Sequence, residues 1–203
     1  MTMQFAEPQE QSGALLIAIV DETYGVSDDD DWTQAREVFR LNLEKEFGLP
    51  FEEANIGPGA DLPAFVTLLQ TSQTSVLALL IALFFGGKPI KESLTAWRDM
   101  ARKLLSFFPR RIFLNRQGAA VLAIDAVMEA MGGLPKSIRL LSYRNRHVHE
   151  DENLATIEAS TEIAEPPATL YLGYVRHVFD IEADGVLFRV GVEGQSVAVS
   201  RLN

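Results

Sequence analysis

The sequence predicts an α+β fold, and three observations support this prediction. Residues 90–108 place apolar side chains at steps of three and four, which is the spacing of one helix face. Residues 170–203 alternate apolar and polar side chains between two short turns, which is typical of an antiparallel meander. The helical patterns precede most of the strand patterns along the chain. That order favours an α+β architecture over alternating strands and helices.

The N-terminal part predicts one buried strand and one helix. Ala14 to Val20 form a continuous apolar run of seven residues, the length and composition of a buried strand. From Trp32 to Phe47 apolar residues recur at helical spacing, and Gly48 and Pro50 end the pattern. A loop rich in glycine and proline is predicted for residues 50–63.

The central part predicts an antiparallel helical hairpin over residues 64–108. Gly86-Gly87 ends its first helix, and Lys88-Pro89 begins the second. The apolar stripe of the second helix consists of Ile90, Leu94, Trp97, Ala101, Leu104 and Phe108. Residues 62–87 carry no charge, so a membrane span is an alternative. Because residues 70–75 are polar, only the ten residues 76–85 are fully apolar, which favours a buried core helix.

The remaining residues predict one more helix and then mostly strands. Residues 111–114 suit a short strand, and the alanine-rich residues 117–131 a third helix that ends at Gly132-Gly133. Residues 138–148 and 154–163 suit strands, although helix stays open for 138–149. The last 34 residues predict a meander of three strands with turns at Asp184-Gly185 and Glu193-Gly194.

Two portions follow from these elements. Residues 1–135 form an α-rich portion with one buried N-terminal strand, and residues 136–203 form an antiparallel β portion. We expect the two to pack as one compact unit, since 203 residues suffice for one sizeable core.

The net charge of -10 is distributed unevenly. Residues 1–61 carry fourteen acids against three Lys or Arg, whereas residues 88–116 carry eight Lys or Arg against two acids. Residues 117–203 are mildly acidic. We therefore expect ion pairs between the acidic head and the basic segment. The overall acidity disfavours nucleic acid as a partner.

Residues that the sequence lacks exclude several chemistries. The chain has no cysteine, which excludes disulfides, a thiolate nucleophile and cysteine-ligated metals and fits a reducing cytoplasmic location. It begins with acid where a secretory signal carries base. No phosphate-binding loop, dinucleotide fingerprint or serine-hydrolase elbow occurs. No cofactor is predicted.

The three histidines suggest a metal site. On a strand, His147 and His149 project from one face, and His177 on another strand completes a three-histidine zinc set with an open position. The alternative is an exposed strand end with His177 packed in the sheet.

The segment Arg144-Asn145-Arg146-His147-Val148-His149 resembles the Arg-x4-His signature of the HEPN ribonucleases. The resemblance implies metal-free RNA cleavage, with Arg144 binding phosphate and His149 acting as acid or base. In that family the pair lies on a helical bundle. Here strands are predicted to follow, and on a strand Arg144 and His149 face opposite ways.

The acids of the head suggest a third site. Asp21 ends a buried strand, a position where magnesium sites place an aspartate, but no Asp-x-Asp follows it. Helix capping explains Asp28, Asp29, Asp30 and Asp31 equally well.

The function that we predict is a non-enzymatic interaction or regulatory protein of the accessory or immunity type. Asp28, Asp29, Asp30, Asp31 and Trp32 are its predicted contacts with a basic protein partner, and homo-oligomerisation is a further expectation. Two alternatives stay open. One is a membrane-engaging protein that inserts the 64–108 hairpin, and the other is a hydrolase or ribonuclease built on Arg144 and His149 or on the three histidines.

Overall fold

The computed structural model of the chain describes residues 15–22, 32–54, 63–69, 74–147, 154 and 175–202. The eight strands and four helices are, in chain order, β1 (Leu15–Val20), α1 (Trp32–Phe47), β2 (Glu52–Ala54), β3 (Ala64–Leu69), α2 (Thr74–Phe85), α3 (Leu94–Leu105), β4 (Ile112–Leu114), α4 (Arg116–Ala130), β5 (Ile138–His147), β6 (Val175–Ala183), β7 (Val186–Glu193) and β8 (Ser196–Leu202). They form an α+β fold with two antiparallel sheets, as predicted.

The first sheet has the strand order β2-β3-β1-β4. β1 lies in its centre, paired with β3 from Leu15 opposite Leu69 to Val20 opposite Ala64. All six residues of β1 are buried, which explains why its sequence is a continuous apolar run rather than an alternating one.

The second sheet has the order β5-β6-β7-β8. Its last three strands are the predicted meander, with tight turns at Asp184-Gly185 and Gly194-Gln195. Residues 138–147 are strand, which decides the alternative that the sequence left open. Of the strand predicted over 154–163, only residue 154 lies among the described residues, and it is not in a strand.

Residues 64–69 are not helical, so the predicted extent of the hairpin is wrong at its start. They pair along their whole length with β1, and this pairing overrides the helical interpretation of the uncharged stretch. The helical part consists of α2 and α3, which meet where the Phe84 and Trp97 ring centroids lie 5.9 Å apart.

The second helix also begins later than predicted, at Leu94 instead of Lys88-Pro89. Ile90 exchanges two backbone hydrogen bonds with Ile138, at 2.8 and 2.9 Å, and so serves as a bridge to the second sheet. A three-residue strand, β2, also lies within the predicted loop 50–63.

One hydrophobic cluster joins both portions of the chain. It contains Ile17 and Ile19 of the first sheet, most of α4, and Phe179 and Val190 of the second sheet. At the start of α4, the buried side chain of Asn115 accepts hydrogen bonds from Gly118 N at 3.1 Å and Leu16 N at 3.3 Å. Asn115 thus caps α4 and anchors it to β1 with one side chain.

Candidate functional site

The predicted contact residues of the acidic head lie largely outside the described residues. Asp28, Asp29, Asp30 and Asp31 are among those not described, and Trp32 is placed as the first residue of α1 by its backbone alone. These residues stay predictions. His149 likewise lies outside the described part, and position 147 is known only from its backbone, opposite Val175.

Among the described residues, two ion pairs join the acidic head to the basic segment, as the charge distribution predicts. Arg110 Nη2 lies 2.6 Å from Glu46 Oε2, and Arg111 Nη1 lies 3.5 Å from Glu22 Oε1. Both pairs are partly exposed, so each contributes less than about 1 kcal/mol. Charges that are paired within the chain in this way are not available to bind a partner.

The part of the second sheet formed by β5, β6 and β7 has one apolar face and one polar face. Alternation along β6 places His177, Phe179 and Ile181 on the core side, and Val178 and Asp180 on the other side. The apolar face contains the buried His177, which the sequence suggested as a metal ligand. The polar face contains the buried Asp180 and Arg189, which were not predicted as site residues.

On the core side, His177 is enclosed by protein. Its Nε2 lies 3.3 Å from the Leu114 carbonyl oxygen, and its Nδ1 lies 2.9 Å from the Tyr143 hydroxyl. A carbonyl only accepts, so the neutral ring donates from Nε2 and accepts the Tyr143 proton at Nδ1. Burial lowers the pKa of His177 to about 4. The ring is therefore neutral at pH 7 and both nitrogens have partners within the protein.

This arrangement gives His177 a structural role in the described part of the chain. It ties β6 to the end of β4 and so joins the two sheets. Among the described residues, no group of three or more His, Asp or Glu is placed to hold a metal ion. The three-histidine set stays a prediction, since two of its side chains are not described.

On the polar side, Asp180 accepts hydrogen bonds from three side chains. Arg189 Nε and Nη2 lie 2.7 and 3.0 Å from its two oxygens, in a forked arrangement. Ser142 Oγ lies 2.9 Å from Oδ2, and Arg144 Nη2 lies 3.4 Å from the same oxygen. Asp180 and Arg189 are 5% and 3% exposed.

The Arg144 of the ribonuclease resemblance thus lies on a strand and contacts a buried carboxylate. This differs from the helical context of the family. Asp180 and Arg189 were not predicted as site residues, although the sequence contains a signal for them. An aspartate between Phe179 and Ile181 interrupts an apolar strand, and the two-residue turn at 184–185 places it opposite Arg189.

The apolar helix α2 lies with one side in the core. Phe84 is fully buried, whereas Leu79 is 61% exposed. No helix within the described ranges combines the length and the apolar character that a membrane crossing requires. The exposed leucine and its neighbour Leu83 leave an apolar strip on the surface of α2.

The four outer strands of the two sheets differ in how they are protected. β2 and β4 have three residues each, and β2 carries Glu52 and Glu53. The register of β5 shifts between Leu140 and Ser142, and its first residue is bridged by Ile90. Short length, charge, irregular register and coverage are the devices that prevent a sheet edge from pairing with another chain.

Among the described residues, β8 shows none of these devices apart from one charge, Arg201. Its seven residues pair in unbroken register with β7, from Leu187 opposite Leu202 to Glu193 opposite Ser196. Within the described part of the chain it pairs with β7 alone. Its sequence, Ser-Val-Ala-Val-Ser-Arg-Leu, has no proline and one charge.

The surface beside β8 is open and partly apolar. Val199 is 37% exposed, and Leu187 is exposed on the neighbouring strand. At the end of β8 an open groove of about 400 Å³ is lined by Gly185, Val186, Leu187, Arg201 and Leu202. The edge of β8 is therefore the candidate interaction site. The sequence predicted the strand but not its position at the edge.

Comparison with known proteins identified no relative: no family model, no curated protein and no solved structure matches the chain.

Proposed function

We propose that this chain is a non-enzymatic interaction protein that binds another protein by adding a strand to β8. The observation behind the proposal is the long, regular edge of β8, which no other strand among the described residues covers. A partner strand laid against it satisfies the backbone N–H and C=O groups that point away from β7.

Side chains on the two faces of β8 supply specificity. Val197 and Val199 project on the core side of the sheet, whereas Ala198 and Ser200 project on the other. The valines favour an apolar partner residue, and the small residues allow close approach. Arg201 is the single charged residue of β8, so little electrostatic repulsion opposes an added strand.

The enzymatic alternative has less support, because its candidate residues already have contacts inside the protein. His177 has both ring nitrogens bonded inside the protein, and Arg144 contacts Asp180. These contacts support structural roles for both residues. We propose a cytoplasmic location, in line with the absence of cysteine.

The test is partner binding by the full chain and by Val199→Lys. The variant places a cation at the centre of the edge, and it should lose a partner that the parent retains. The matched control is Val38→Lys, because Val38 is 50% exposed on α1 and lies outside the second sheet. Each captured protein is then purified, and its dissociation constant is measured with all three chains.

An unchanged dissociation constant for Val199→Lys contradicts the role of β8. The enzymatic alternative has its own assay, RNA cleavage by the parent compared with His149→Ala. Cleavage that the variant lacks, together with no protein partner, overturns the proposed function.

A further inference from the structure

We infer that the strand that β8 binds is β8 of a second copy of this chain, in a two-fold symmetric dimer with one continuous sheet. This inference rests on the proposed function, and it names the partner of the same edge. The second sheet then extends to eight strands, in the order β5-β6-β7-β8 followed by β8-β7-β6-β5 of the second copy.

The sequence of β8 is compatible with itself in antiparallel register. A two-fold axis at Val199 places it opposite Val199 of the second copy, and all seven residues of the strand find a partner. On one face, Arg201 then lies opposite Val197 of the second copy. On the other face, Ala198 lies opposite Ser200. No two like charges meet, which is the condition that cross-strand pairs require.

The positions of apolar residues favour this register. Val199, the residue on the axis, is the most central residue of β8, and it is 37% exposed in the single chain. Pairing removes this apolar surface from water in both copies at once. Leu202, at the end of the strand, lines the open groove. In the dimer, the turn before Ser196 of the second copy runs alongside this groove.

The charges nearest the edge support a like partner. Glu193 is bonded to Arg176 and Glu182 to Arg139, with 3.0 and 2.6 Å between the charged atoms. Glu193, on the strand next to β8, and Glu182, on β6, are therefore neutralised by partners in their own chain. Arg201 is the one charge on β8, and the two-fold axis keeps the two copies of it at opposite ends of the interface.

The buried Asp180 network and the His177 ring have their described partners inside the protein.

The absence of native cysteine provides a direct test. Residues directly opposite each other in antiparallel strands have Cα atoms about 4.5 to 5.5 Å apart, which is within disulfide range. Under mild oxidation, Val199→Cys should form a disulfide-linked dimer at protein concentrations where Val38→Cys stays monomeric on a non-reducing gel. Val199→Cys that remains a monomer overturns the inference.

Analytical ultracentrifugation of the full chain provides the second test. The parent should sediment as a dimer, and Val199→Lys should weaken dimerisation by about 100-fold, since like charges then meet on the axis. Val199→Glu should behave in the same way. A mixture of the Lys and Glu variants should restore a dimer, because opposite charges meet there. Circular dichroism melts show whether each variant is folded.

Three results are decisive against the dimer. They are a monomeric parent at high concentration, a dimer that neither charge variant weakens, and a mixture that stays monomeric while both variants are folded. If the parent is a monomer but binds a different protein that Val199→Lys loses, the dimer is wrong and the proposed function stands. If no protein binds at β8, both are wrong.

Discussion

The hydroxyl of Tyr143 on β5 lies 2.9 Å from Nδ1 of His177 on β6, and the two rings stack with 6.1 Å between their centroids. The two residues lie on the same face of the sheet, diagonally across the pair of strands. The other ring nitrogen contacts the carbonyl of Leu114, so the histidine connects β5, β6 and β4.

His177 should make the stability of the protein fall as the pH falls. Its pKa is about 4 in the folded chain, below the ordinary value of 6.5. Between these two values the unfolded chain binds a proton that the folded chain does not. The free energy of unfolding should therefore decrease on acidification from pH 6.5 to 4, by on the order of 3 kcal/mol from this residue.

Urea unfolding of the parent and His177→Gln across this pH range measures the effect. The difference between the two chains should shrink as the pH falls, because the variant lacks the titrating ring. Carboxylates that titrate in the same range affect both chains and cancel in the difference. A difference that is constant with pH would contradict a depressed pKa.

Asp180→Asn should destabilise the fold strongly, by about 3 to 5 kcal/mol. The substitution removes the charge that compensates the buried guanidinium of Arg189. Chemical denaturation measures the loss. The double variant Asp180→Leu with Arg189→Met should be more stable than Asp180→Leu alone, because the more deeply buried of the two guanidinium groups that lose the carboxylate is then removed as well. A double variant with simply additive losses would show that the two residues are not coupled.

Gly194→Ala should destabilise the protein by at least about 2 kcal/mol. Gly194 has φ +52°, and an added Cβ would lie 2.8 Å from the carbonyl oxygen of Ile112. Gly185 is the matched control, since its φ is +81° but no atom lies within 4 Å of the added Cβ. Gly185→Ala should cost about 1 kcal/mol, from backbone conformation alone. Thermal melts of the two variants compare them, and equal losses would exclude the steric contact.

Substitutions on the two sides of α2 should differ sharply. Phe84→Ala should lower the free energy of unfolding by about 3 to 5 kcal/mol. Phe84 is fully buried against Trp97, so truncating its side chain leaves a cavity. Leu79→Ala should change stability by less than about 0.5 kcal/mol, because the side chain is 61% exposed. Denaturation in aqueous buffer without lipid gives both values. Similar costs for the two would mean that this helix is not half-buried as described.

Several elements were predictable because their signal is local. Trp32–Phe47 has the bounds that its apolar spacing and the following Gly48 and Pro50 indicate. The meander was equally predictable, since alternation and two-residue turns are local features of the chain. Internal pairing of the acidic head with the basic segment followed from the charge distribution, and two such pairs occur in the described part of the chain.

Other elements depend on partners that are distant along the chain. Ala64–Leu69 has the composition of either a helix or a strand, and its pairing with β1, some fifty residues earlier, decides for strand. Ile90 fitted a helical stripe but bonds to Ile138. In both cases the backbone hydrogen bonds that decide the structure join residues whose spacing carries no sequence signal.

Local sequence patterns establish the α+β class, the positions of α1, α4 and the meander, and the charge distribution, because each depends on residues a few positions apart. The three-dimensional arrangement was needed to show which strand lies at the edge, that Asp180 meets Arg189, Arg144 and Ser142, and that His177 is enclosed. These features depend on strand order and on which face of the sheet meets the core. Both are settled when separate segments bury their apolar surfaces together, which is a property of the whole chain.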